Sequence, residues 1–234
     1  MRIAFIVIGN SRRSNYLNGH TLRYGNGGGS GTDGSSILMA EHLAKQGHEV
    51  VFVTDRLEPR LEEEYRNRGI TFVPGREFYG VKYTNIDFEG IENKEFDILV
   101  SMLWFHDYKS LPIKVTKSVI YWSHMQWVYG IEELRTFASE NNLSLGFIHI
   151  SEWEKNMTKN IVESLKGRFQ KTDNGEDVKI LSALIPNPVM DEMINEVTNF
   201  QSKHLDSFAS FPEVDTDSNL WPETLIALLI SADL

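Results

Sequence analysis

The sequence predicts an α/β protein: a doubly wound, mostly parallel Rossmann-like sheet of about seven strands with a short helical C-terminal tail. Three observations predict it. Short, continuously apolar runs alternate with segments of helical periodicity, the pattern of strands covered on both faces. A glycine-rich stretch, Gly25 to Gly34, runs into the first of those helices. Residues able to do chemistry sit just after the apolar runs, where the ligand crevice of an open parallel sheet forms.

Ile3 to Ile8 is the first buried strand, and Gly9-Asn10 ends it. Ser11 to Gly34 is a long polar segment rich in Asn, Gly and Arg, and loops of that length are usually functional or disordered. Ser35 and Ser36 are N-cap candidates for a helix with a stripe at Ile37, Ala40 and Ala44, widened by Leu38 and Leu43. Gly47 suits its C-terminal stop, and Val50 to Val53 is the second strand. Glu58 to Arg68 reads as a short helix with Pro59 in its first turn. Ile70 to Val73 reads as a third strand, and a short helix is expected near Asn85 to Glu92.

Further strands are expected at Phe96 to Leu103, Ser118 to Trp122, Leu145 to Ile150 and Val178 to Ile185, with a helix over Ile131 to Asn141. Ser151 and Glu154 have capping-box spacing, and Trp153, Met157, Ile161 and Leu165 predict a core-facing stripe on the helix that follows. After Pro188 the pattern changes. A helical stretch, a polar irregular stretch and an apolar end, Leu225 to Ile230, make up residues 189–234.

Composition narrows the function classes. The net charge of -10, with no basic stripe, argues against nucleic acid. The absence of cysteine excludes disulfide and thiolate–metal sites, and no His/Asp/Glu spacing resembles a zinc site, so no metal is expected. No apolar run approaches the roughly 20 residues of a membrane span. The first strand is too short for a signal core and lacks a small-residue cleavage pattern. A cytoplasmic protein is the expectation, with peripheral membrane contact left open.

The residues at the strand ends are the glycine loop, His106-Asp107, Ser123-His124, Ser151-Glu152 and Asn187. Gly28, Gly29 and Ser30 stand before a helix entrance, where free backbone N–H groups make an anion site. Gly29 to Gly34 also fits G-x-G-x-x-G, with Asp55 roughly 20 residues on, as in a dinucleotide site. Against that, the dinucleotide fingerprint turns straight off its strand, and here a long loop intervenes. His124 suits contact with a sugar hydroxyl or phosphate, or a structural hydrogen bond. His106 and Asp107 either orient one another or cap the next loop. Trp104, Trp122 and Trp127 suit stacking on a sugar ring or packing in the core. Glu152 is within reach of the crevice, while its capping position also explains it. Neither a nucleophile elbow nor a Walker lysine is present.

In order along the chain, Arg2-Ile-Ala-Phe-Ile-Val7, the Gly-Gly-Gly-Ser-Gly loop and Leu43-Ala-Lys-Gln-Gly-His-Glu-Val-Val-Phe-Val-Thr54 resemble a family. It is the amino-terminal lobe of retaining, nucleotide-sugar-dependent glycosyltransferases of the GT-B fold, especially family 4. Val119-Ile-Tyr-Trp-Ser-His124 resembles the strand presenting that family's active-site histidine. Ile150-Ser-Glu-Trp-Glu-Lys155 resembles its late strand-to-helix turn, and Leu184-Ile-Pro-Asn-Pro-Val189 its interdomain linker. The resemblance covers Met1 to about Val189, implying an acceptor-side lobe over residues 1–188.

What the resemblance implies is hexosyl transfer from a UDP- or GDP-sugar to a hydroxyl with retention, without cofactor or metal. Gly28 and Gly29 would approach donor phosphates or acceptor, and His124 would contact the transferred sugar as the catalytic histidine. Substrate contacts would come from Ser30, His106, Asp107, Trp127, Glu152 and Asn187. The departure is the second lobe: residues 189–234 hold a short remnant of it at most. Glu223, in Trp221-Pro-Glu-Thr, stands where the first of the family's paired donor-binding glutamates would, and Ser231 stands at the second. The alternatives are an inactive or accessory glycan-binding lobe, with a partner chain supplying the donor lobe, and an NAD(P)-dependent oxidoreductase.

Overall fold

Strand β1 (Arg2–Ile8) is the axis of the protein, with a parallel strand on each side. The computed structural model describes residues 1–8, 18–19, 31–56, 59–67, 71–103, 107–124, 130–156, 159–160 and 180–184. In chain order the remaining elements are α1 (Gly31–Lys45), β2 (Glu49–Thr54), α2 (Pro59–Asn67), β3 (Arg76–Phe78), β4 (Val81–Asn85) and β5 (Glu95–Leu103). A 3-10 turn (Tyr108–Ser110), β6 (Lys114–Ser123), α3 (Ile131–Glu140), β7 (Ser144–His149) and β8 (Ile180–Leu184) follow.

The eight strands lie in the order β3-β4-β2-β1-β5-β6-β7-β8. Every pairing is parallel except β3 with β4. The doubly wound, Rossmann-like sheet expected from the sequence is therefore present, with one short antiparallel strand added at an edge. The order reverses between β1 and β5, which makes their carboxyl ends the switch point where such sheets bind ligands.

Each face of the sheet has its own core. Ile3, Phe5, Val100, Met102, Ile120 and Trp122 pack under Ile37, Ala40 and Leu43 of α1. On the other face Ala4, Leu99, Val119, Tyr121 and Phe147 pack with Leu134 and Phe137 of α3. Alternate residues of one strand thus serve opposite cores, which is why β1 is apolar after Arg2 and why β5 and β6 carry the unbroken apolar runs Ile98 to Val100 and Val119 to Trp122.

Three local expectations are corrected. Ser35 and Ser36 are not N-caps: α1 already starts at Gly31, and Ser36 Oγ donates back to the carbonyls of Thr32 and Asp33 at 3.0 and 2.8 Å. No helix covers 85–92. Asn85 Oδ1 accepts the Asp87 N–H at 3.1 Å in an Asx turn, Phe88 has φ 55, and Gly90 has φ 70. Within the expected strand at 70–73, residues 71–73 have no regular structure, and the pairing partner of β4 lies at 76–78 instead. That hairpin turns through Tyr79 and Gly80, both at positive φ (53 and 81), as a two-residue loop of this hand requires.

Candidate functional site

Parallel strands bring the ends of β1, β2, β5, β6, β7 and β8 to one rim. Register places Ile8 beside Leu103, Met102 beside Trp122, Ser123 beside His149, and His149 beside Leu184. Helix α1 runs back against the strands. Its last residue, Lys45, precedes β2, where the Glu49 N–H donates to the Met1 carbonyl at 3.0 Å. At about 1.5 Å per residue the helix spans the sheet, so Gly31 stands at the carboxyl rim. Gly31 and His124 therefore share a rim, and α1 and Trp122 share a face.

His124 follows β6 and is partly buried. Its imidazole packs on Trp122, with ring centroids 5.0 Å apart at 42°. Desolvation lowers its pKa from 6.5 to about 4, so the ring is neutral at ordinary pH. His124 Nε2 and Trp122 Nε1 are both buried, and neither has a hydrogen-bond partner among the described residues. Buried polar nitrogens are normally satisfied, so two adjacent exceptions mark this spot.

At the α1 entrance a carboxylate is already present. Asp33 lies in the first turn and is 6% exposed, where an acid complements the helix dipole. Glu41, two turns later, is 2% exposed. Gly19 reaches this helix from the β1–α1 connection: its N–H donates to Tyr83 Oη at 3.0 Å, and a Cβ added to it would meet Glu41 Oε1 at 1.8 Å.

The other face of the rim holds a pair not anticipated from the sequence. His149 Nδ1 lies 3.0 Å from Glu154 Oε2, and both side chains are 2% exposed. The expected cap is there: Ser151 Oγ accepts the Glu154 N–H at 3.1 Å. The Glu154 carboxylate, however, turns inward to the histidine. The buried side of the turn thus runs through Glu154, and Trp153, expected to face the core, is 61% exposed. A Ser-x-x-Glu cap preceded two residues earlier by a strand-final histidine was the available signal.

The remaining candidates separate. Glu152 is exposed and pairs with Lys155 at 3.3 Å rather than entering the crevice. Asp107 is exposed, and its carbonyl accepts the Ser110 hydroxyl at 3.0 Å, so it opens the 3-10 turn as a loop cap. It also borders a cleft of about 400 Å³ shared with Lys109, Glu133 and Arg135. Asp55 follows β2 directly. Gly28, Gly29, Ser30, His106, Trp127, Asn187 and Glu223 lie outside the described residues, as do Met157, Ile161, Leu165 and the tail 189–234. Among the described residues, no group of three or more His, Asp or Glu could hold a metal ion, and no helix is long and apolar enough to cross a membrane.

No family model matches the chain, and no curated protein matches it. A solved structure described as "Structure of MT0777" is similar over 89% of this chain and 100% of that chain at 12% identity. Its TM-score of 0.30 is too low to carry an argument.

Proposed function

We propose that this chain is the acceptor-side lobe of a retaining, nucleotide-sugar-dependent glycosyltransferase of the GT-B, family 4 type. It would help move a hexosyl group from a UDP- or GDP-sugar to a hydroxyl, with the sugar nucleotide as co-substrate and no metal or cofactor. The observation that carries the reading is His124: a neutral, partly buried imidazole with Nε2 unpartnered among the described residues, beside the switch point of a doubly wound sheet. A neutral ring of this kind recognises hydroxyls and offers no charge to neutralise. Catalysis on such a lobe rests on positioning and on electrostatic stabilisation of the departing diphosphate, the latter supplied from the donor side. A cytoplasmic location, the lobe boundary near residue 188 and a donor-side role for Glu223 belong to the same proposal.

One observation favours an accessory form of this reading. Asp33 puts a carboxylate in the first turn of α1, where a donor diphosphate would otherwise meet the helix dipole. Glycan binding by this lobe, with donor binding by a partner chain, accommodates that charge. The dinucleotide reading is weaker, because residues 9–30 separate β1 from α1.

Calorimetry with a panel of UDP- and GDP-hexoses and of free oligosaccharides tests the proposal, with a transfer assay to hydroxyl acceptors. Saturable binding of a sugar nucleotide, with turnover, supports the enzyme. Oligosaccharide binding alone selects the accessory lobe. No binding of either class at millimolar concentration overturns both, and binding of NADH instead would replace them.

A further inference from the structure

The orphaned indole N–H beside His124 has a consequence of its own. Trp122 is fully buried, so its ring is held by the core under α1 and not by solvent. An indole Nε1 is a donor only and needs an oxygen or another acceptor; burying it without one costs about 1–3 kcal/mol. A neutral imidazole carries one donor and one acceptor nitrogen. With the proton on Nδ1, His124 Nε2 is an acceptor beside an unmet donor.

We propose that Trp122 Nε1 and His124 Nε2 together hold one hydroxyl oxygen of a sugar or polyol, the hydroxyl accepting from the indole and donating to the imidazole. This rests on the sugar-transfer reading and adds to it a second recognition group, Trp122, acting by hydrogen bonding and not by stacking. Two hydrogen bonds of about 2.9 Å to one oxygen bridge nitrogens up to about 5.8 Å apart. The two rings are in contact, with centroids 5.0 Å apart.

The same geometry disfavours an anion. A fully ionised oxygen of a sugar nucleotide's diphosphate accepts from the indole but has no proton to give Nε2, and burial keeps the imidazole from charging until about pH 4. A hydroxyl meets both nitrogens at once, and an internal water would do so as well.

The test is nitrogen-15 NMR of the whole chain, following the Trp122 indole N–H and the His124 ring nitrogens. Titrants are glucose, mannose, UDP-glucose, GDP-mannose and sulfate, an oxyanion with neither hydroxyl nor proton at this pH. The expected result is a Nδ1–H tautomer for His124 at neutral pH. At least one hexose or sugar nucleotide then moves the indole and Nε2 signals saturably, while sulfate leaves them in place. Trp122→Phe, which keeps an aromatic ring and removes the donor, should weaken that ligand roughly tenfold, the equivalent of one hydrogen bond. The wild-type spectra decide the matter if the variant does not fold.

A sugar nucleotide that binds without moving the indole signal overturns this inference and leaves the transferase reading intact. Equal shifts with sulfate overturn the hydroxyl assignment. An indole signal that reports only a bound water, with no titrant binding, overturns both.

Discussion

Glu154 and His149 form a buried pair that ties the turn after β7 back to the strand: Oε2 lies 3.0 Å from Nδ1, and both side chains are 2% exposed. A carboxylate at that depth depends on its hydrogen bonds. Removing one partner takes that hydrogen bond from the other while it stays buried. Glu154→Ala is therefore expected to destabilise the protein by about 3 kcal/mol in urea unfolding. His149→Ala should cost a similar amount, and the double variant much less than the sum. Additive losses would show that the two side chains do not act as a pair.

The cap beneath that pair makes a smaller, separable contribution. Ser151 Oγ accepts the Glu154 N–H at 3.1 Å. Ser151→Ala is expected to cost about 1 kcal/mol, and Ser151→Asp to restore most of it. Because the same bond sets the direction of Glu154, hydrogen exchange at residue 154 should accelerate in Ser151→Ala. An unchanged exchange rate would mean the hydroxyl does not hold the turn.

The parts legible from sequence are those where the local pattern and tertiary burial agree. Ile3 to Val7 is apolar without interruption because alternate residues feed two cores, which is what made the strand legible. Helix α1 was legible as a helix from Ile37, Ala40 and Leu43, but its start was not. Glycine has poor helix propensity, yet Gly31 and Gly34 lie inside the first turns. The β3–β4 hairpin was missed because its turn is Tyr79-Gly80 and not the usual Asn-Gly, so a bulky residue sits at positive φ. His124 was legible as a strand-end histidine. Its orphaned Nε2, and the orphaned Nε1 of the Trp122 indole, depend on what the rest of the chain fails to offer, which no local pattern records. Glu154 was credited with capping, and only the fold turns its side chain toward His149.

Gly19 is held where no side chain fits. Its N–H donates to Tyr83 Oη at 3.0 Å, while an added Cβ would fall 1.8 Å from Glu41 Oε1 and 2.5 Å from the Tyr79 ring. Gly19→Ala must displace the buried Glu41 carboxylate, and a loss of about 1–3 kcal/mol is expected. Tyr83→Phe removes the acceptor for the Gly19 N–H and should cost about 1 kcal/mol. Gly47→Ala is the control: φ is +86 but nothing lies within 4 Å, so backbone strain alone acts, at about 1 kcal/mol. Thermal unfolding of the three variants checks the order. A Gly19→Ala protein as stable as wild type would show that the loop is not pinned at that point.

The buried imidazole of His124 also predicts how stability changes with acid. In the folded chain its pKa is lowered from 6.5 to about 4 by desolvation, while the unfolded chain keeps the ordinary value. Between those values the unfolded state binds a proton that the folded state does not. The contribution is therefore present in full above pH 6.5 and is lost as pH falls toward 4. The shift corresponds to at most about 3 kcal/mol, less what partial solvent access returns. His48, also lowered by desolvation and by the neighbouring N-terminal ammonium, acts in the same direction. Urea unfolding of wild type and His124→Gln at about pH 7 and about pH 4.5 isolates the His124 share, because glutamine does not titrate there. The variant should lose roughly 2 kcal/mol less than wild type over that interval. Equal losses would mean that the imidazole is hydrated in the folded chain, and the neutral, desolvated ring on which the hydroxyl-binding argument stands would not exist.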